Sequence, residues 1–271
     1  MEDPVDSKTR EFLLGALYLL AHIDGMPLIM LHDGILSVLR TMLQTMSPLK
    51  RRMRLKVSAV ISSTLYVLSV STRTCWLMVE QGLFQLVDLL VAEAQSILGS
   101  DMAATDKTIH STAVDVMCMC IGTYANITFD DRCRWRMLLE TPARTIILMC
   151  SVSKSVRVRA CCALVLHHVA SEKDSALKAT SMGALEVLIQ MANSDDPLLR
   201  KECFVGLCAV LASPFDELYA CLRDRAVATM AGTIEEQANG IASDIIKEAL
   251  SSPLNIFDAM NNAENIMGKI A

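Results

Sequence analysis

The residues best suited to chemistry in this sequence are cysteines, histidines and a recurrent set of cations. Cys161, Cys162, His167 and His168 form the only mixed cysteine and histidine group. On a helix Cys161 and His168 stand two turns apart, about 10 Å along the axis, too far for one metal ion. Cys118 and Cys120 project about 200° apart around a helix, a poor geometry for chelation. No Gly-rich phosphate loop, paired-Cys zinc spacing or His-Glu-x-x-His arrangement occurs. The sequence therefore implies no catalytic residue, no metal and no cofactor, and a thiol or metal-dependent enzyme is its weakest reading.

Cations offer a different chemistry. Lys50, Arg51, Arg52, Arg54 and Lys56 lie in "PLKRRMRLK", and smaller groups recur at Arg157 with Arg159 and at Arg200 with Lys201. Each group opens a long apolar-periodic segment. Positive charge at a helix N-terminus opposes the macrodipole by about 0.3–1 kcal/mol, so the recurrence is unexpected on stability grounds alone. A basic stripe of this kind suits an acidic partner segment.

Those segments repeat. Anchoring each on an apolar residue followed by a small one gives Leu20-Ala21, Leu68-Ser69, Ile127-Thr128, Val169-Ala170 and Leu211-Ala212, at intervals of 48, 59, 42 and 42 residues. Fourteen residues after each anchor's first member come Gly34, Gly82, Thr141, Gly183 and Arg225. Apolar residues then coincide at the second place (Leu36, Phe84, Ala143, Leu185, Val227) and the fifth (Leu39, Val87, Ile146, Leu188, Met230), which is helical periodicity. Each copy is thus a helix after the turn and a longer helix before the anchor.

The stretches "GALEVLIQMANSDDPLLRKECFVGLCAVLAS", "SVSKSVRVRACCALVLHHVAS" and "EQGLFQLVDLLV" resemble armadillo repeats. That resemblance implies an all-α, right-handed α-solenoid whose units of about 40–47 residues carry two short helices and a long third helix, with the third helices lining a concave groove. One solenoid is expected over 1–271, with repeats at about 8–46, 47–104, 105–150, 151–194 and 195–235 and a helical cap over 236–271. The longest interval holds an insertion, Ala92 to Lys107, expected as a surface loop. At the other end the chain opens in a third helix presenting Phe12, Leu13, Leu14 and Leu17, a face that self-association or further upstream repeats would cover.

In armadillo carriers of the nuclear-import type, third helices bear a Trp and, four residues later, an Asn. The corresponding Asn places here are Leu19, Val67, Asn126, His168 and Val210, and the Trp places are Gly15, Ser63, Gly122, Leu164 and Gly206. Only Asn126 matches, which argues against a cargo receptor. A further turn up the stripe stand Val60, Met119, Cys161 and Cys203, so the groove suits an apolar helix better than an extended peptide.

Composition agrees with helices: 52% hydrophobic and 4% aromatic residues, with 11 Gly and 7 Pro in 271 residues. A net charge of −5 argues against general nucleic-acid binding. The longest apolar runs, such as "FLLGALYLLA", are too short for a bilayer span, and "MEDPVDSKTR" resembles neither a secretory signal nor a transit peptide. Ten cysteines inside apolar patterns read as reduced core residues. The expectation is an intracellular, cytoplasmic scaffold or adaptor, compatible with nuclear or cytoskeletal association. Its protein partner would be recognised through the concave groove, with Asn126 and His168 as polar points, and through the basic stripe. Nucleic acid and membrane are not expected partners.

Overall fold

A computed structural model describes residues 4–45, 51–211 and 227–228. Among the described residues there are fourteen α-helices and no strand. They are α1 (Pro4–Ala21), α2 (Met26–His32), α3 (Ile35–Gln44), α4 (Arg51–Ser69), α5 (Thr72–Glu80), α6 (Leu83–Leu98), α7 (Asp101–Thr105), α8 (Lys107–Ile127), α9 (Asp131–Leu139), α10 (Thr141–Val152), α11 (Val156–Ala170), α12 (Lys173–Ser181), α13 (Ala184–Ala192) and α14 (Pro197–Leu211). Lys50, Arg225 and the expected cap over 236–271 lie outside the described residues.

Local chemistry sets the joints. Gly34, Gly82 and Gly183 stand between a first and a second helix with φ of 79°, 84° and 95°, the left-handed region that a Cβ disfavours. Their N–H groups donate to the carbonyls of Leu31, Val79 and Thr180, which closes each turn. Between α9 and α10, where Thr141 takes the glycine's place, the chain turns instead through an extended Glu140 (φ −100°, ψ −172°). Long helices start at polar caps: Asp106 accepts from the N–H groups of Thr108 and Ile109 before α8, Ser155 from Val158 before α11, and Asp196 from Leu199 before α14.

The chain divides into two compact units, Met1–Pro142 and Ala143–Ala271. In the first unit the long helices α1, α4 and α8 pack in sequence, the second helices α3 and α6 pack on one another, and the short helices α2, α5 and α9 form a third row. Leu31, Leu36, Leu39, Leu65, Leu68, Leu83, Leu86 and Leu90 are fully buried between these rows, each contributing about 1.5–3 kcal/mol by leaving water. In the second unit α11 packs on α14 and α12, and α13 packs on α14.

Two expectations change. The segment Ala92 to Lys107 is not a loop: α6 runs on to Leu98, α7 follows, and Asp106 leads into α8. Ala94, Ile97 and Ala103 are buried there, so its apolar positions hold it against α6 and α8 as helix. On α1, Phe12 and Leu13 are exposed as expected, but Leu14 is buried and Leu17 half-buried, because they face α2 and α4 rather than solvent.

Candidate functional site

Each third helix of the first unit leaves one stripe open. On α8 the less buried residues include Thr112, Asp115, Met119, Gly122 and Asn126; on α4, Lys56, Val60, Ser63 and Val67; on α1, Phe12, Gly15 and Leu19. Spacings of three and four place each set on one helical face. Measured from the repeat anchors, Phe12, Val60 and Met119 are equivalent, as are Gly15, Ser63 and Gly122, and Leu19, Val67 and Asn126. The result is a row of small residues between two rows of larger, mostly apolar ones. Phe12 is 77% and Leu19 67% exposed, and Val70 and Phe129 continue the apolar surface past the helix ends. Gly122 has a specific reason to lack a side chain: a Cβ there would stand 3.0 Å from the Tyr66 ring, which lies over α8.

Polar groups on this face are turned inward. The hydroxyls of Ser63, Thr64, Thr112 and Thr123 donate to the carbonyls of Ala59, Val60, Thr108 and Met119, each in their own helix, at 2.8–2.9 Å. Asn126 donates through Nδ2 to Ser69 Oγ at 2.9 Å, tying α8 to α4. The buried Ser69 hydroxyl in turn donates to the Tyr66 carbonyl. Asn126 is therefore a brace between neighbouring third helices as well as a polar point on the face, and its spacing from Ser69 in sequence gave no sign of that.

The cations at the start of α4 separate into two kinds. Arg51 and Lys56 are exposed, as is Arg52, whose guanidinium stands 3.7 Å from Asp106. Arg54 is different: its Nη2 meets Glu93 Oε2 of α6 at 2.5 Å, with the two side chains only 24% and 14% exposed. It is a structural pair, made with a residue of the segment that had been expected as a loop. In the second unit Arg157 and Lys201 are exposed, whereas Arg159 and Arg200 are half-buried. Arg159 reaches Met191 Sδ at 3.4 Å. Sequence reasoning passed over a further cationic cluster, where Arg132 and Arg136 of α9 stand 4.6 and 6.0 Å from the Trp76 ring of α5. The signal available was Trp76 in a first helix followed by an Arg-rich one.

Among the described residues no group of three His, Cys, Asp or Glu side chains is placed to hold a metal. On α11 Cys161 is half-buried and Cys162 buried, and His167 and His168 stack edge to face at 5.4 Å. His167 Nδ1 is buried without a hydrogen bond, and burial, then His168, pulls this ring down to about 4. Burial pushes Cys75 up to about 11 and Cys150 and Cys208 to about 12, and it raises Cys120, Cys133, Cys162 and Cys203 as well. Such thiols hold little thiolate near neutrality. The corresponding stripe of α14 is closed, with Cys203 and Gly206 buried and Gly206 lying against His167 and Leu188.

No family model matches the chain, nor does any curated protein. Solved structures do. An engineered protein from a structural genomics programme matches at 18% identity and a TM-score of 0.64, over 94% of this chain and 93% of its own. A designed armadillo repeat protein in complex with the peptide (KR)4 matches at 14% identity and 0.64, over 92% of each chain. A structure of computationally designed armadillo repeat proteins for modular peptide recognition matches at 14% identity and 0.64, over 91% of this chain and 92% of its own. With the repeated helix triplets described above, these likenesses identify the fold of this chain as an all-α solenoid of armadillo-type repeats.

Proposed function

We propose that this chain is a protein-binding scaffold or adaptor, without enzymatic activity, that receives a segment of a partner protein on the third-helix face of its first unit. The observation that carries this reading is the open stripe running through Phe12, Leu19, Val60, Val67 and Met119 across α1, α4 and α8. A protein surface seldom leaves so continuous an apolar row in water unless something docks on it. Peptide complexes of designed armadillo proteins support the same use of the fold. The bound peptide differs in kind: (KR)4 is cationic, whereas this stripe carries Lys56 and is apolar on α1.

A second reading, an acidic segment held at the starts of the third helices, rests on the exposed Arg51, Arg52 and Lys56 in one unit and Arg157 and Lys201 in the other. Its other members, Arg54, Arg159 and Arg200, are at least half-buried, and Arg54 is engaged by Glu93. A nuclear-import receptor has less support, since Trp is missing from every equivalent position. A reducing compartment such as the cytoplasm suits the nine free cysteines.

Selection of displayed 14-residue peptides against the protein tests the first reading. Binders should be lost from Leu19→Glu and Met119→Glu variants whose melting is unchanged. They should be retained by Arg51→Glu. Binders indifferent to both apolar positions, or a selection yielding none, would refute it.

A further inference from the structure

The kind of segment follows from what the face can and cannot satisfy, and this inference rests on the binding reading above. An extended peptide brings one N–H and one C=O per residue, which lose water on docking and need partners. Armadillo grooves that hold extended chains would need a recurring side-chain donor on successive third helices. Here the hydroxyls of Ser63, Thr64, Thr112 and Thr123 are spent on their own helices, and Asn126 spends one N–H on Ser69. At the positions equivalent to Asn126 stand Leu19 and Val67, which donate nothing. An α-helix satisfies its own backbone and asks only for shape and apolar area.

The shape is present. Gly15, Ser63 and Gly122 form a low row across three adjacent helices, flanked by Phe12, Val60 and Met119 on one side and by Leu19, Val67 and Tyr66 on the other. Neighbouring helices pack at about 8–10 Å, so the row runs about 16–20 Å. At 1.5 Å per residue that is the length of about 11–13 helical residues, or three turns. Charge narrows the occupant further: Arg51, Arg52 and Lys56 border the stripe at the start of α4. We propose that the first unit binds an amphipathic α-helix of about three turns, laid across α1, α4 and α8 with its apolar face in the Gly15–Ser63–Gly122 row and acidic residues toward Arg51 and Arg52.

Two displayed 14-residue libraries decide it. One is patterned with apolar residues at i, i+3, i+4 and i+7; the other has the same composition with a central proline. The helical library should enrich, its binders should gain helical circular dichroism in the complex, and Asp or Glu should collect at one end. A central Pro placed in a selected binder should weaken it about 100-fold, the equivalent of about 3 kcal/mol for an interior helix position. Gly122→Leu, which fills the row, should abolish binding; Ser63→Gly should retain it, which guards against a Gly122 variant that merely disturbs Tyr66. Equal enrichment from the proline library, or selected peptides rich in Lys and Arg, would overturn the helix inference while leaving a peptide-binding scaffold. Enrichment from neither library would overturn both.

Discussion

Arg54 is where charge at the start of α4 stops being surface decoration. An exposed ion pair is worth at most about 1 kcal/mol, whereas cutting a fully buried one costs about 3–5 kcal/mol because a charge is left behind. Arg54 and Glu93 are 24% and 14% exposed at 2.5 Å, so Arg54→Met should cost about 2 kcal/mol, between those limits. Arg54→Glu sets two carboxylates together. Their repulsion is about 4 kcal/mol at 4 Å for an effective dielectric of about 20, most of it relieved by rotation into water, which raises the total to about 3 kcal/mol. Arg51→Glu, on an exposed first-turn residue, should stay within about 0.5 kcal/mol and trend toward stabilisation through the macrodipole. Both tryptophans, Trp76 and Trp135, belong to the first unit, so intrinsic fluorescence reports that unit's unfolding. At about 2–4 °C per kcal/mol, Arg54→Met should lower the fluorescence midpoint by about 4–8 °C. Adding Glu93→Met should recover part of the loss, since the stranded carboxylate is then gone. If Arg54→Met and Arg51→Glu melt alike, the pair is not structural and the reasoning fails.

Backbone and titration give further checks. Gly183→Ala, at φ 95°, should destabilise by about 1–2 kcal/mol, while Gly15→Ala, in a helix with open space around its Cβ, should stabilise by about 0.5–1 kcal/mol; equal effects in chemical denaturation would contradict the turn assignment. His167 is held near 4 in the folded state against 6.5 unfolded, so its contribution is present above pH 6.5 and is lost as pH falls toward 4; His167→Gln should flatten the melting profile over that window, and an unchanged profile would count against the burial argument. Thiols raised from 9 toward 11–12 favour folding below pH 9 and withdraw that support as pH climbs through those values. Cys75, Cys150 and Cys208 should accordingly react with a disulfide reagent at pH 8 more slowly than free cysteine until the protein unfolds, and rapid native labelling would refute their inertness.

What the sequence by itself determined was the repeat and its joints. Helical periodicity is a property of residues three and four apart, so the order of long and short helices could be read directly. A glycine recurring at one offset marks a backbone need, and Gly34, Gly82 and Gly183 do occupy left-handed turns. Thr141 at that same offset also warned that one junction is built otherwise, though not that Glu140 would extend. Tertiary structure decided what the polar side chains do, because their partners lie far along the chain. Arg54 meets Glu93, Asn126 meets Ser69, and Gly122 makes room for Tyr66 only once α4, α6 and α8 are packed. It also decided that Ala92 to Lys107 is helix, since Ala94, Ile97 and Ala103 had no visible surface to pack against until α8 lay beside them. A sequence fixes which face of each helix is apolar; which of those faces stays open to a partner depends on how neighbouring helices are set against it, and that leaves α1, α4 and α8 open while α14 is closed.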